Sequence, residues 1–148
     1  VEKLRDKYAF PGMKIIQFAF DVDPNNSFLP HNYPQNCVVY SGTHDNDTSR
    51  GWYEQASEHE RHFARTYTQS DGTQINWAFI RLGMLSVGDQ AIFPIQDFMS
   101  LSTEHRMNFP GTSSGNWLWR YTTEMLQIIN RDKIRGLVQL GNRSIMKI

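Results

Sequence analysis

Apolar residues cluster in short runs separated by amphipathic stretches and two long polar segments. Met13-Lys14-Ile15-Ile16-Gln17-Phe18-Ala19-Phe20 is nearly continuous in apolar character and is bounded by Gly12 and Asp21. A run of that length without alternation predicts a strand buried on both faces, as parallel sheets require. Cys37 to Ser41 predicts a second strand, and Asp89 to Pro94 a third. Between these runs the pattern turns helical. Ser57 and Glu60 stand at capping-box spacing, predicting a helix to about Gln69. Ile75, Ala78, Phe79 and Leu82 recur at helical intervals, predicting an amphipathic helix over Thr73–Met84. Helices are also expected over Ile95–Leu101, Thr122–Asn130 and Arg131–Leu140, and a helix end over Leu4–Tyr8 before the breaker Phe10-Pro11-Gly12. Trp117 to Arg120 fits no element. The polar segments Asp21–Asn36 and Asn108–Asn116 are loops, and loops of such length in compact domains usually carry function or are disordered.

Strand, loop, strand, helices, strand, helices is the rhythm of an α/β protein built from repeated β/α units. About three parallel strands cannot close a barrel, so the sheet is expected to be open or to lack strands supplied elsewhere. With 148 residues, the chain has the length of one domain. Two features instead predict that residues 1–148 form a single partial domain. The chain begins at Val1 without an initiator methionine, and an aromatic content of 13% accompanies unusually long polar loops.

Charge and cysteine content narrow the partners. Fifteen basic and fifteen acidic residues give a formal net charge of zero, against nucleic acid or an anionic membrane surface as the main partner. No apolar run approaches the length of a membrane span. Cys37 is the single cysteine, which excludes an internal disulfide and a multi-cysteine zinc site. It opens an apolar run and reads as a packing residue.

The densest chemistry lies in His44-Asp45-Asn46-Asp47, immediately after the second predicted strand. Ligands of parallel α/β proteins bind at the carboxyl ends of strands. Three readings of this turn stand side by side. Its Asp and Asn side chains could cap a helix, a role that suits Asp47 and Thr48. The imidazole and carboxylate could hydrogen-bond sugar hydroxyls or face a developing oxocarbenium ion. The paired carboxylates could hold magnesium, although no phosphate cradle accompanies them. Asp21-x-Asp23-x-Asn25 resembles the start of a calcium loop but has Asn26 and Asn32 where glycine and glutamate belong, so it reads as a solvated turn. No metal or cofactor is expected. His59, His62 and His105 read as surface residues, and Trp52 and Tyr53 as core. Arg106, Asn108, Pro110, Gly111, Gly115, Asn116 and Trp117 form a polar, aromatic loop suited to carbohydrate.

Four ordered motifs, Phe10–Phe20, Leu29-Pro-His-Asn-Tyr33, Ser41-Gly-Thr-His-Asp-Asn-Asp-Thr48, and Gln96-Asp97 with Arg106–Trp117, resemble the 4-α-glucanotransferase family, also called amylomaltase or disproportionating enzyme. The resemblance implies the C-terminal part of a catalytic (β/α)8 barrel of the amylase type. It also implies transfer of α-1,4-glucan segments between maltooligosaccharides with retention of configuration, as part of starch and glycogen metabolism. It implies Asp45 as the transition-state-stabilising carboxylate, His44 as its sugar-binding neighbour, and Phe20, Pro110 and Asn116 as substrate-binding residues. The nucleophilic Asp and the acid/base Glu of the family would precede Val1, so the chain alone is expected to be inactive. Its partners would be an α-glucan and the remainder of its own barrel, and its location the cytoplasm, or the plastid in a plant. An amylase-type hydrolase and a non-catalytic glucan-binding module are the alternatives. An uncovered half-barrel face would leave an apolar patch.

Overall fold

The computed structural model describes residues 2–143. Val1 and residues 144–148, the extremities of the expected 1–148 domain, lie outside the described residues. Helix α1 (Glu2–Lys7) leads into strand β1 (Gly12–Ile15), and strand β2 (Cys37–Tyr40) follows the first long loop. Helices α2 (Ser49–Gln55), α3 (Glu58–Thr68) and α4 (Ile75–Leu85) separate β2 from β3 (Gln90–Ile92). Helix α5 (Ile95–Phe98), α6 (Thr123–Leu126) and α7 (Arg131–Leu140) complete the described elements. The strands form one parallel sheet in the order β1-β2-β3, with Ile15 beside Tyr40 and Tyr40 beside Ile92. The three expected parallel strands are therefore present, with β2 in the centre.

The apolar run predicted as one strand over Met13–Phe20 divides. It leaves the sheet after Ile15 and continues as a 3-10 turn, Ile16–Ala19. Ile16, Ala19 and Phe20 are buried while Phe18 stays half exposed. The buried positions follow i, i+3, i+4 spacing, which a continuous apolar run satisfies as well as it satisfies a strand. Gln17 ties this turn to the exit of β2, its N–H donating to the Ser41 carbonyl and its side-chain amide to the Asp47 carbonyl.

One face of the sheet packs on helices. Val39, Cys37, Ile16, Phe20, Ala64, Ile75 and Phe79 belong to a single buried cluster, with Trp52, Phe63 and Tyr67 packed against it. Cys37 is thus the buried packing residue expected, and burial raises its thiol pKa. The other face carries Met13, Ile15, Tyr40 and Ile92 toward an open cavity. Met13, Phe18 and Ile92 remain about half exposed there, an apolar surface uncovered by the described residues.

Local signals set several boundaries. Ser57 and Glu60 complete a reciprocal capping box at the start of α3, and Gln69 closes that helix in the left-handed conformation. The helix expected over Thr122–Asn130 is only the single turn of α6, because Asn130 serves as N-cap of α7 and accepts from the Lys133 N–H. Helix α5 is likewise shorter than Ile95–Leu101, with Ser100 at φ +57° ending it. The predicted third strand shrinks to Gln90–Ile92. Helix α2 begins where the helix-capping reading of the His44–Thr48 turn places a helix start, with Thr48 as its N-cap.

Candidate active site at the strand ends

The carboxyl ends of β1, β2 and β3 open onto a cavity of about 690 Å³. Its floor is apolar, from Ile15, Tyr40 and Phe93, and its polar rim is the β2–α2 turn, Gly42–Thr48, together with Arg106. The turn is short and heavily bonded. Thr43 donates its N–H and hydroxyl to the Asn46 carboxamide at 2.9 and 2.7 Å. Gly42 accepts the close passage of Gln17, whose side-chain nitrogen would lie 2.5 Å from any added Cβ.

His44 and Asp45 stand at the apex of this turn with side chains about half exposed. The His44 Nε2 lies 3.4 Å from Asp45 Oδ1, a loose pairing that becomes an ion pair only when the imidazole is protonated. The His44 ring packs against Trp117, centroids 5.0 Å apart. Asp45 is fixed from across the cavity. Asn108 donates its side-chain amide to Asp45 Oδ1 at 2.7 Å, and Arg106 donates to the Asp45 carbonyl at 3.0 Å. Arg106 also donates to the Asn108 carbonyl and lies over the Phe109 ring, so one guanidinium aligns both partners. Among the described residues Asp45 Oδ2 takes no hydrogen bond. The turn thus presents one anchored and one free carboxylate oxygen.

Asp47 behaves differently from Asp45. Its carboxylate accepts from the Thr48 N–H, the Gln55 side-chain amide and the Thr103 hydroxyl, at 2.7, 2.9 and 2.8 Å. The N-cap of α2 is Thr48, which accepts from the Gly51 N–H. Asp47 therefore corrects the capping expectation in part: it braces the first turn against Thr103. Gly51 is required at that contact, because a Cβ would collide with the Asp47 carboxylate and the Thr103 hydroxyl. The three donors tie the Asp47 carboxylate to α2 and to Thr103 and turn it away from the role of a partner to Asp45. Among the described residues, no group of three or more His, Cys, Asp or Glu comes together.

Three of the five expected site residues fall outside the cavity lining. Phe20 is only 2% exposed and lies beneath the sheet among Trp52, Phe63, Tyr67 and Phe79, so its substrate-binding role is corrected to core packing. The run that carries it turns inward as a 3-10 helix, where a strand would have delivered it to the mouth. Pro110 is exposed on the loop beyond Asn108. Asn116 spends its carboxamide on that loop, accepting from the Phe109 N–H and donating to Thr112. What sequence reasoning missed is the specific pairing of Arg106 and Asn108 with Asp45. The loop's polar composition was the available signal, but no local spacing links residues this far apart.

A parallel sheet with helices between its strands and polar side chains gathered at the strand ends defines the class of an α/β protein whose candidate site lies at the carboxyl ends of its strands. The comparisons with known proteins narrow that class. The family model described as 4-alpha-glucanotransferase matches residues 1–126, and the chain belongs to this family. A 4-alpha-glucanotransferase of Synechocystis sp. is 50% identical over 147 residues, covering 98% of this chain and 29% of the relative. One of Thermus thermophilus is 45% identical over 151 residues, covering 97% of this chain and 30% of the relative. The solved structure of an amylomaltase from Streptococcus agalactiae in complex with acarbose superposes with a TM-score of 0.88 at 33% identity, over 95% of this chain and 29% of that one. The fold is accordingly a part of an amylase-type barrel. The chain spans about 30% of the length of the curated relatives it matches. No helix among the described residues is long and apolar enough to cross a membrane.

Proposed function

We propose that the protein containing this chain transfers α-1,4-glucan segments between maltooligosaccharides with retention of configuration, and that Asp45 stabilises the transition state. The observation that carries the role of Asp45 is its anchoring: Asn108 and Arg106 hold it at the cavity rim while Oδ2 stays free. An oxocarbenium-like transition state spreads positive charge over a flattened sugar ring. A carboxylate already fixed at the ring's edge gains more there than in the ground state, because no reorganisation is needed as charge develops. His44, packed on Trp117 beside Asp45, supplies an imidazole nitrogen for a sugar hydroxyl. Apolar Tyr40, Phe93 and Ile15 offer surface for the C–H faces of the same ring.

Retaining chemistry uses two carboxyl groups about 5–5.5 Å apart across the scissile bond. Asp47 cannot serve as one of them, being committed to Thr48, Gln55 and Thr103. On this reading the nucleophile and the acid/base come from other parts of the protein, in keeping with a chain that spans about 30% of its relatives' length, and the chain assayed alone is expected to be inactive. The test is the full-length protein on maltotriose: redistribution into longer and shorter maltooligosaccharides supports transfer, whereas glucose release without longer products supports hydrolysis. Asp45→Asn in that protein lowers kcat by about 10²–10³ while glucan still binds. A variant with wild-type kcat removes Asp45 from the chemistry.

A further inference from the structure

We propose that Asp97 is the positioning residue for Asp45, holding both ends of the β2–α2 turn on a single buried carboxylate. Asp97 sits on α5 with 1% of its surface exposed. Its Oδ2 accepts from the Ser41 hydroxyl at 2.5 Å and the Ser49 hydroxyl at 2.8 Å, and its Oδ1 accepts from the Ser49 N–H at 2.8 Å. Ser41 is the last residue before the turn and Ser49 the first of α2. They bracket Gly42–Thr48, and Asp45 is the midpoint of that stretch. Fixing the span between the two serines fixes how far the apex reaches into the cavity.

The arrangement has a second tie. Asn76 on α4 donates to the Asp97 carbonyl at 2.7 Å, and Ser100 donates to the Asn76 carboxamide oxygen. Helix α5 is thereby locked to the helix layer, so the carboxylate is a fixed point for the turn. No cation pairs with Asp97 among the described residues. Burial pushes its carboxyl pKa up, and only the three donors oppose that shift. A buried, cation-free carboxylate is a costly way to stabilise a fold, since hydrogen bonds seldom repay the desolvation of a charge. Such a group fits a site where geometry is the requirement. One acceptor-only anion facing three donors specifies hydrogen directions that a neutral amide does not.

This inference rests on the proposed role of Asp45, and a double-mutant cycle in the full-length protein tests it. Asp97→Asn keeps side-chain volume and removes the charge. It should lower kcat on maltotriose by about 10- to 100-fold with KM within about twofold, the scale of a misplaced reacting group. In the Asp45→Asn background the same change should alter kcat by less than about twofold, because its route to the chemistry is gone. An equal loss in both backgrounds, or no loss in either, overturns the proposal. Where Asp97→Asn fails to accumulate folded, Ser49→Ala, which keeps the main-chain bond, enters the same cycle with the same criteria. If wild-type protein transfers no glucan, the function reading fails by itself. The His44 ring resonances then decide this one: displaced in Asp97→Asn and unmoved in Asp89→Asn, they support it, and unmoved in both they overturn it.

Discussion

Replacing Phe20 separates a packing role from a binding role in one experiment. Its ring is 2% exposed and meets four others, stacked on Phe79 at 5.1 Å and inclined to Trp52, Phe63 and Tyr67 at 5.5, 6.2 and 6.2 Å between centroids. Phe20→Ala removes that ring from a closed cluster, and such truncations cost about 3–5 kcal/mol. The aromatic pairs add about 0.5–1.5 kcal/mol each beyond area, so the upper half of that range applies, about 4 kcal/mol. Phe20→Leu keeps most of the volume and loses the four ring pairs, for about 2 kcal/mol. With a urea m-value of about 2 kcal/mol/M, the unfolding midpoint falls by about 2 M for Ala and about 1 M for Leu. Tryptophan fluorescence follows the transition because Trp52 packs directly on the ring. KM for maltotriose in the full-length protein should stay within about twofold for Leu, since Phe20 does not line the cavity. A midpoint unchanged alongside a several-fold higher KM would put Phe20 on the substrate and refute the burial argument.

Two further perturbations test single contacts. Asn108→Ala frees Asp45 Oδ1 from its 2.7 Å donor and should lower kcat of the full-length protein about tenfold, with thermal midpoint nearly unchanged because the site is exposed; equal kcat would show that Arg106 alone sets Asp45. Glu60 accepts from the Ser57 hydroxyl and N–H, which holds its carboxyl below the usual glutamate range. A depressed carboxyl contributes stability present above the ordinary pKa of about 4.3 and lost as pH falls through the lower folded value. The Tm gap between wild type and Glu60→Gln should therefore be present at pH 7 and shrink progressively as pH falls below the ordinary glutamate range, and a gap independent of pH would detach it from ionisation.

What could be read in the chain followed the range of each interaction. The capping box of Ser57 and Glu60 spans three residues and was legible in full. The parallel sheet was legible because Cys37–Tyr40 must be apolar on both faces, with helices beneath and the cavity floor above. The bend at Ile16 was not legible. Gln17 ties that turn to Asp47, thirty positions away, and a continuous apolar run contains no mark of where the sheet ends. The same holds for the site. Ser41 and Asp97 are 56 positions apart, and Asn108 and Asp45 are 63 apart.

The distinction between Asp45 and Asp47 shows what tertiary structure adds. In sequence they are two carboxylates two positions apart on one turn, and spacing favours Asp47 for capping without showing what either side chain meets. The fold separates them by supplying different numbers of donors. Asp47 receives three, from Thr48, Gln55 and Thr103, which occupy most of its acceptor sites. Asp45 receives one on its carboxylate and one on its carbonyl, enough to fix its position and leave Oδ2 unsatisfied. An anion held in place with spare acceptor capacity at a cavity rim is the form that electrostatic stabilisation of a developing cation requires. The donor count at each carboxylate therefore supports the role proposed for Asp45 over one for Asp47.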